Sequence, residues 1–361
     1  MRSVERREFM GAVGYAALGL GVSAMRSARG ATSNGRIKIG QIGTAHSHAS
    51  GKIATIRKYP DIYELVGVVA PDPERRKAAE NQGAYRGVKW LTEEQLLNAE
   101  GLKVVAVETA VRDLVPTAAR CVARGVHVHL DKPAGESLGE FKRLLDEATR
   151  KNLVIQMGYM LRYNPAFRFC VKTVREGWLG DVFELHGVMS KTADAATRKG
   201  LAQYAGGTMF ELGCHLIDPL VRLMGLPARV TPFLRTHGNF NDQLADNTAA
   251  VFEYPRAMGI VSSSALQPSA FPHRAFEVFG SNGTAVLRPI EPGTLLSIDL
   301  VKAAGPYTAG AQQVKFAPFR RYVADFDELG EAVRLSRPLA VTPEEDLKVH
   351  EALLRASGMW S

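Results

Sequence analysis

The stretch KIGQIGTAHSHASGK, residues 38–52, decides the fold. An apolar, strand-like run, RIKIGQIG from Arg36, ends in Gly43. A helix-like segment, SGKIATIRKYP, follows and is stopped by Pro60. A strand that turns through glycine into a helix is the opening of a dinucleotide-binding βαβ unit. Two histidines, His46 and His48, stand where such a turn is usually glycine-rich. The stretch therefore predicts a fold and leaves open two occupants for its loop: a nicotinamide cofactor or a metal ion.

Working outward, the strand–helix alternation continues. YELVGVVA reads as a second buried strand and PERRKAAENQG as a helix. LKVVAVET is a strand, DLVPTAARCVARG a helix and VHVHLDKP a strand; SLGEFKRLLDEATRKN is a helix and LVIQMGYM a strand. Thr92 with Gln95, and Ser137 with Glu140, have capping-box spacing. Such alternation predicts a parallel, doubly wound sheet. Beyond residue 165 the runs VFELHGVMS, RVTPFLRT, NTAAVFEY, MGIVSSSAL, AFEVFGSNGTAVL and TLLSIDLV look like antiparallel strands, with SNGT at 281–284 as an Asn-Gly hairpin turn. Thr342, Pro343 and Glu345 open a last helix. The expected fold class is α/β: a Rossmann domain at 35–155, an α+β domain with a large open sheet at 156–345, and a C-terminal helix at 346–361 packing back on the core.

A dinucleotide loop asks for Gly-x-Gly-x-x-Gly; here the three positions hold Gly43, Ala45 and His48. The loop Gly43, Thr44, Ala45, His46 and His48 can still offer amides at a helix N-terminus to a pyrophosphate. The second strand ends in Ala70 rather than a ribose-binding acid. Asp72 is the nearest carboxylate, placed to reach back or to cap the next helix, while Arg75 and Arg76 would suit a 2′-phosphate.

Further motifs carry chemistry. Asp131-Lys132-Pro133 closes a strand at the carboxyl edge of the sheet, where ligands of such folds bind. A partly desolvated lysine there can act as a general acid or base. In GGTMFELGCHLIDPLVRLMG, Glu211 and His215 lie four apart on one helical face, with Asp218 a turn beyond. His46, His48, Glu211 and His215 together form an N/O donor set suited to a divalent metal, the alternative occupant.

The 361 residues carry a net charge of +8, part of it in the first 30 residues, where five arginines face two glutamates. The remaining positive charge is diffuse, which excludes a nucleic-acid reader. Cys121, Cys170 and Cys214 are widely spaced and read as core residues. Residues 1–34 begin with a charged segment holding Arg6-Arg7, followed by a glycine-rich apolar run too short for a stable membrane span. The layout resembles a twin-arginine secretory signal and predicts export to the periplasm, with no stable membrane span after signal removal.

From residue 36 onward, DKPAGES, GYMLRYNPAF, REGWLGDVFE, GGTMFELGCHLID and FEVFGSNGTAVL occur in an order similar to the glucose–fructose oxidoreductase, inositol dehydrogenase and related (Gfo/Idh/MocA) family. The resemblance implies NAD or NADP, either held tightly or turned over as a redox couple, and oxidation or reduction of a hydroxyl of a sugar, sugar derivative or cyclitol. It implies Lys132 and His215 as acid and base, Glu211 as the acid beside them, and Tyr159, Arg162 and Asn164, with Asp218, near the substrate. Asp131 and Thr109 join the loop and Asp72 on the cofactor side. The resemblance also implies a homodimer or homotetramer formed through the C-terminal sheet. Departures fall on the cofactor side: the two loop glycines, the ribose acid, and Thr109-Ala110 and Leu114 in place of Thr-Pro and His. A non-redox lyase, hydrolase or isomerase, using a bound cofactor or a metal, fits the same residues.

Overall fold

The computed structural model describes residues 35–360, so the secretory-signal reading of residues 1–34 lies outside the described residues. Strands β1 (Ile37–Ile42), β2 (Tyr63–Val69), β3 (Leu102–Val107), β4 (His127–Leu130) and β5 (Ile155–Met157) form a parallel sheet in the order β2-β1-β3-β4-β5. Their nearly continuous burial is what a parallel sheet covered on both faces requires. Helices α1 (Ala49–Ile56), α2 (Pro73–Glu80), α3 (Glu93–Leu97), α4 (Val111–Ala123) and α5 (Leu138–Arg150) make the connections. The Thr92–Gln95 capping box forms, and Ser137 accepts the Glu140 amide. The chain leaves β1 for β2 on one side and returns to β3 on the other. The loops after β1 and β3 therefore diverge and open a crevice at the carboxyl edge.

The second sheet has eight strands in the order β13-β12-β11-β10-β6-β9-β8-β7. These are β6 (Val182–Val188), β7 (Arg229–Arg235), β8 (Asn247–Tyr254), β9 (Ala257–Ser264), β10 (Ala275–Gly280), β11 (Gly283–Leu287), β12 (Leu295–Leu300) and β13 (Gly310–Lys315). All neighbours are antiparallel except β6 and β9. The β10–β11 hairpin corrects one expectation. Gly280 pairs with Gly283, so the turn is Ser281-Asn282 and neither residue has positive φ. The Asn282 side chain holds the turn instead, donating to the carbonyls of Trp178 and Lys302 and accepting from the Lys302 amide. Helices α6 (Pro165–Arg175) and α8 (Cys214–Met224) pack on one face of this sheet, and α7 (Ala195–Leu201), which the sequence reading missed, precedes α8. The three cysteines are buried free thiols.

Helices α9 (Val323–Leu335) and α10 (Pro343–Ala356) return to the parallel sheet. Tyr63 Oη donates to the Phe326 carbonyl at 2.6 Å, and His350 of α10 packs edge-on against Phe141 of α5. No helix among the described residues is long and apolar enough to cross a membrane.

The first turn of α9 buries Asp325 completely, and its carboxylate has no hydrogen bond from another residue's side chain. Burial pushes this acid up to about 7. A raised acid favours folding in its protonated form. Its contribution is therefore complete below about pH 4 and is lost as pH rises through about 7, by at most ~1.4 kcal/mol per pH unit. Asp325→Asn is expected to flatten that decline. Urea unfolding of both proteins at pH 5 and pH 8 checks it, and parallel pH dependences would refute it.

Candidate active site

At the crevice, Gly43 makes the turn after β1 with φ +96°, a conformation L side chains rarely adopt. A Cβ there would lie 2.5 Å from the Thr109 amide nitrogen, so glycine alone lets the loop pass the end of β3. The Ala45 and His46 amides both donate to the Glu108 carbonyl at 3.1 Å, which ties the loop to that strand end. A cavity of about 280 Å³ opens beside them, lined by Gly43, Thr44, Ala45, Ala70, Arg75 and Thr109 among others. The Thr44 hydroxyl is buried there without a protein partner. The turn glycine, the unpartnered hydroxyl and the cavity at the strand switch fit the adenylate half of a dinucleotide. Asp72 caps α2, accepting from the amides of Glu74 and Arg75, so its carboxylate is committed to the helix.

The far end of the loop is different. His46 and His48 turn inward onto Asp131, at 2.7 and 3.3 Å. Lys52, one turn along α1, is fully buried with its ammonium 2.9 Å from both Asp131 and Glu108. Burial alone would strip its charge, but the two carboxylates hold Lys52 above its ordinary range. Burial also acts on both acids: Glu108 is driven well above the usual carboxylate range, while His46, Lys52 and His48 hold Asp131 well below it. His48 is pushed down to about 4, chiefly by burial. Tyr322, at φ 68°, closes this end, its ring 5.7 Å from that of His48 and against Gly51. Lys52, Glu108 and Tyr322 escaped the sequence reading. A lone lysine on the apolar face of SGKIATI and an acid directly after VVAV are the signals that could have found the first two.

Lys132, at the end of β4, is buried and donates from Nζ to Glu211 Oε1 and to the Glu211 carbonyl, each at 2.9 Å. Burial disfavours its charge, yet Glu211 raises it above the ordinary lysine range. Burial would likewise raise Glu211, but Lys132 and Lys191 bring it down to about 2. Glu211 sits in a π-helical turn, Met209–Gly213, that runs into α8, and His215 lies in the first turn of α8. The His215 ring is 5.9 Å from that of His48, and its Nδ1 has no hydrogen-bond partner. Burial, then Lys132 and His48, hold this imidazole well below its usual range, so it stands neutral.

Other residues expected at the substrate serve elsewhere. The Arg162 guanidinium bonds Asp218 at 2.6 and 2.9 Å and Asp346 at 2.6 Å, all three buried. This ion triad ties the turn after β5 to α8 and α10. Asn164 caps α6 and donates to the Ile290 carbonyl, so both ends of its amide are used within the protein. Arg162, Asp218 and Asn164 are thus corrected to supports beneath the site. Buried Tyr159 lies between them and the site, its ring 6.5 Å from His215 with the Arg162 guanidinium over its face. Glu211, Asp218 and His215 do not act as one helical stripe, because Glu211 pairs with Lys132 and Asp218 with Arg162. The metal set read from the sequence is also revised: the atoms that converge on His46 and His48 belong to Asp131, not to Glu211 and His215.

A parallel nucleotide-type sheet with its cleft at the strand switch, joined to an open antiparallel sheet, defines a two-sheet dinucleotide-binding protein. Residues 37–159 match the description "Oxidoreductase family, NAD-binding Rossmann fold", and residues 167–286 match the GFO/IDH/MocA C-terminal domain. The chain belongs to the GFO/IDH/MocA oxidoreductase family. It is 27% identical over 205 residues to an uncharacterized oxidoreductase of Schizosaccharomyces pombe, covering 55% of each chain. It is 22% identical over 195 residues to the scyllo-inositol 2-dehydrogenase (NADP(+)) IolW of Bacillus subtilis, covering 54% of each. The chain thus spans about half the length of these curated relatives. A levoglucosan dehydrogenase, solved in complex with NADH and levoglucosan, superposes with TM-score 0.75 at 17% identity, over 90% of this chain and 98% of that one, and shares the fold.

Proposed function

We propose that this protein oxidises or reduces a hydroxyl-bearing carbon of a sugar, sugar derivative or cyclitol with NAD or NADP. The observation that carries the reading is the joining of Lys132, Glu211 and His215 beside a loop whose turn glycine and unpartnered Thr44 hydroxyl suit a dinucleotide. The substrate classes named for IolW and for the levoglucosan dehydrogenase support it. The cofactor, when bound, supplies the hydride acceptor or donor. The Thr44 hydroxyl faces the phosphates, and Arg75 lines the cavity where a 2′-phosphate would be met, with no carboxylate at position 70 to repel it.

Within the chain, Glu211 fixes the Lys132 ammonium and accepts from a substrate hydroxyl. His215, neutral and with a free ring nitrogen, takes the hydroxyl proton during oxidation, while the Lys132 ammonium stabilises the developing oxyanion. Lys132 and His215 are buried and Glu211 is only partly exposed, which limits water at the reacting carbon. The face of the second sheet not covered by α6 and α8 carries Phe233, Val251, Ile260 and Phe279 among Glu184, His186 and Glu277, a mixed apolar and charged surface that supports a homodimer or homotetramer through that face. The paired arginines of residues 6 and 7 support export to the periplasm.

Fluorescence titration with NADH and NADPH, followed by a panel of cyclitols and pyranoses with the tighter cofactor, tests the reading. Micromolar binding and substrate-dependent absorbance change at 340 nm are expected. Absence of binding by all four nicotinamide dinucleotides would overturn it.

A further inference from the structure

We propose that His46, His48 and Asp131 bind a first-row divalent cation, Zn²⁺ or Fe²⁺, through His46 Nδ1, His48 Nδ1 and an Asp131 carboxylate oxygen. The three side chains are buried, and their donor atoms all lie within 4.8 Å of one another. His46 carries the argument. Its Nε2 is 3.0 Å from the Lys132 carbonyl, which can only accept, so the ring proton belongs on Nε2. Its Nδ1 then presents a lone pair, and the His48 amide donates toward it at 3.4 Å. That same Nδ1 lies 2.7 Å from Asp131 Oδ2. A lone pair and a carboxylate oxygen so close repel each other unless a second ring proton or a metal cation lies between them, and the His48 amide aimed at Nδ1 favours the lone pair over the proton. His48 Nδ1 approaches the other carboxylate oxygen at 3.3 Å, completing the set.

The outer contacts are those that metal ligands need. A ligating histidine commonly donates its second N–H to a backbone carbonyl, as His46 does to Lys132. Asp131 is steadied by the Lys132 amide at 2.7 Å and by Lys52 at 2.9 Å. Lys52 is itself shared with Glu108. Two imidazoles and one carboxylate suit zinc, iron(II) or cobalt(II) rather than magnesium or calcium. Three protein ligands leave positions open for water or a substrate oxygen, as in catalytic rather than structural sites. Asp131 adjoins Lys132, so a hydroxyl or carbonyl oxygen taken up there would be polarised beside the proposed acid–base pair. The site stands on its own residues, whether or not a dinucleotide occupies the neighbouring cavity.

The test uses the full chain without an affinity tag: metal content as purified, then Co²⁺ titration of chelator-treated protein, read by visible d–d absorption. About one Co²⁺ per chain, with visible d–d bands that appear on titration, is expected for such an N/O site. His46→Gln and His48→Gln should each weaken Co²⁺ binding by at least about 100-fold, the upper range for losing only an outer-shell partner. Circular dichroism checks that the variants fold; should His46→Gln not fold, His48→Gln and the parent protein decide. Neither metal as purified nor Co²⁺ bands in the parent protein would overturn the proposal. Co²⁺ binding unchanged in folded His48→Gln would do the same, since the cation would then sit elsewhere. Nicotinamide titration of the same samples reports separately on cofactor binding.

Discussion

Lys132→Met is expected to lower turnover with the best sugar or cyclitol substrate by about 10²–10³-fold, the range for losing one positioned donor to a developing oxyanion. The substitution keeps most of the buried volume and removes the ammonium that Glu211 accepts from at 2.9 Å. Glu211 then loses the first of the cations that hold it down at about 2, and its affinity for a proton rises. Lys132→Arg separates the two roles of the lysine. A guanidinium can still balance Glu211, but its planar fork does not place the donor that the compact ammonium offers the developing oxyanion. Steady-state kinetics should show both variants impaired in kcat, with NADH binding retained. Near-parental kcat in Lys132→Arg would mean that Lys132 serves only as a counter-charge.

Arg162→Met is expected to destabilise the fold by about 3–5 kcal/mol, because Asp346 would remain buried without its paired cation and Asp218 would keep only Arg222 at 3.7 Å. Asp218 and Asp346 both lie within 2.6 Å of the same guanidinium nitrogen and have almost no access to water. Burial pushes Asp346 up to about 6 even with Arg162 in place. Adding Asp218→Asn and Asp346→Asn to Arg162→Met should recover much of the loss, since neutral amides cost less to bury than charges. Denaturant unfolding measures both effects. A loss below about 1 kcal/mol for the single variant would show that the triad is no more than a surface-grade ion pair. A support role also predicts that substrate KM changes little in the repaired variant.

The parallel sheet was legible because its signals are local. Apolar runs bounded by Gly and Pro, with Thr92 and Thr342 at their capping positions, specify strands and helices without reference to distant residues. Lys132, Glu211 and His215 were legible through the motifs that hold them. The use of Arg162, Asp218 and Asn164 was not. A sequence shows that a polar residue lies near a site but not whether its partner is a ligand or another side chain, and Asp346 approaches Arg162 from 184 residues away. The Ser281-Asn282 turn was misread because contacts to Trp178 and Lys302, not positive φ, hold it.

The sequence by itself determined the alternation of strands and helices, the turn at Gly43 and the acid–lysine–proline and Gly-Gly motifs, because each depends on backbone geometry within a few residues. Only the tertiary structure decided what His46 and His48 face. They meet Asp131 from β4 and stand above Lys52 and Glu108, because the parallel order β2-β1-β3-β4-β5 brings the ends of β1, β3 and β4 to one edge. Charges that would be ordinary on a surface become a mutually dependent cluster there, since burial removes the water that would otherwise screen them from one another.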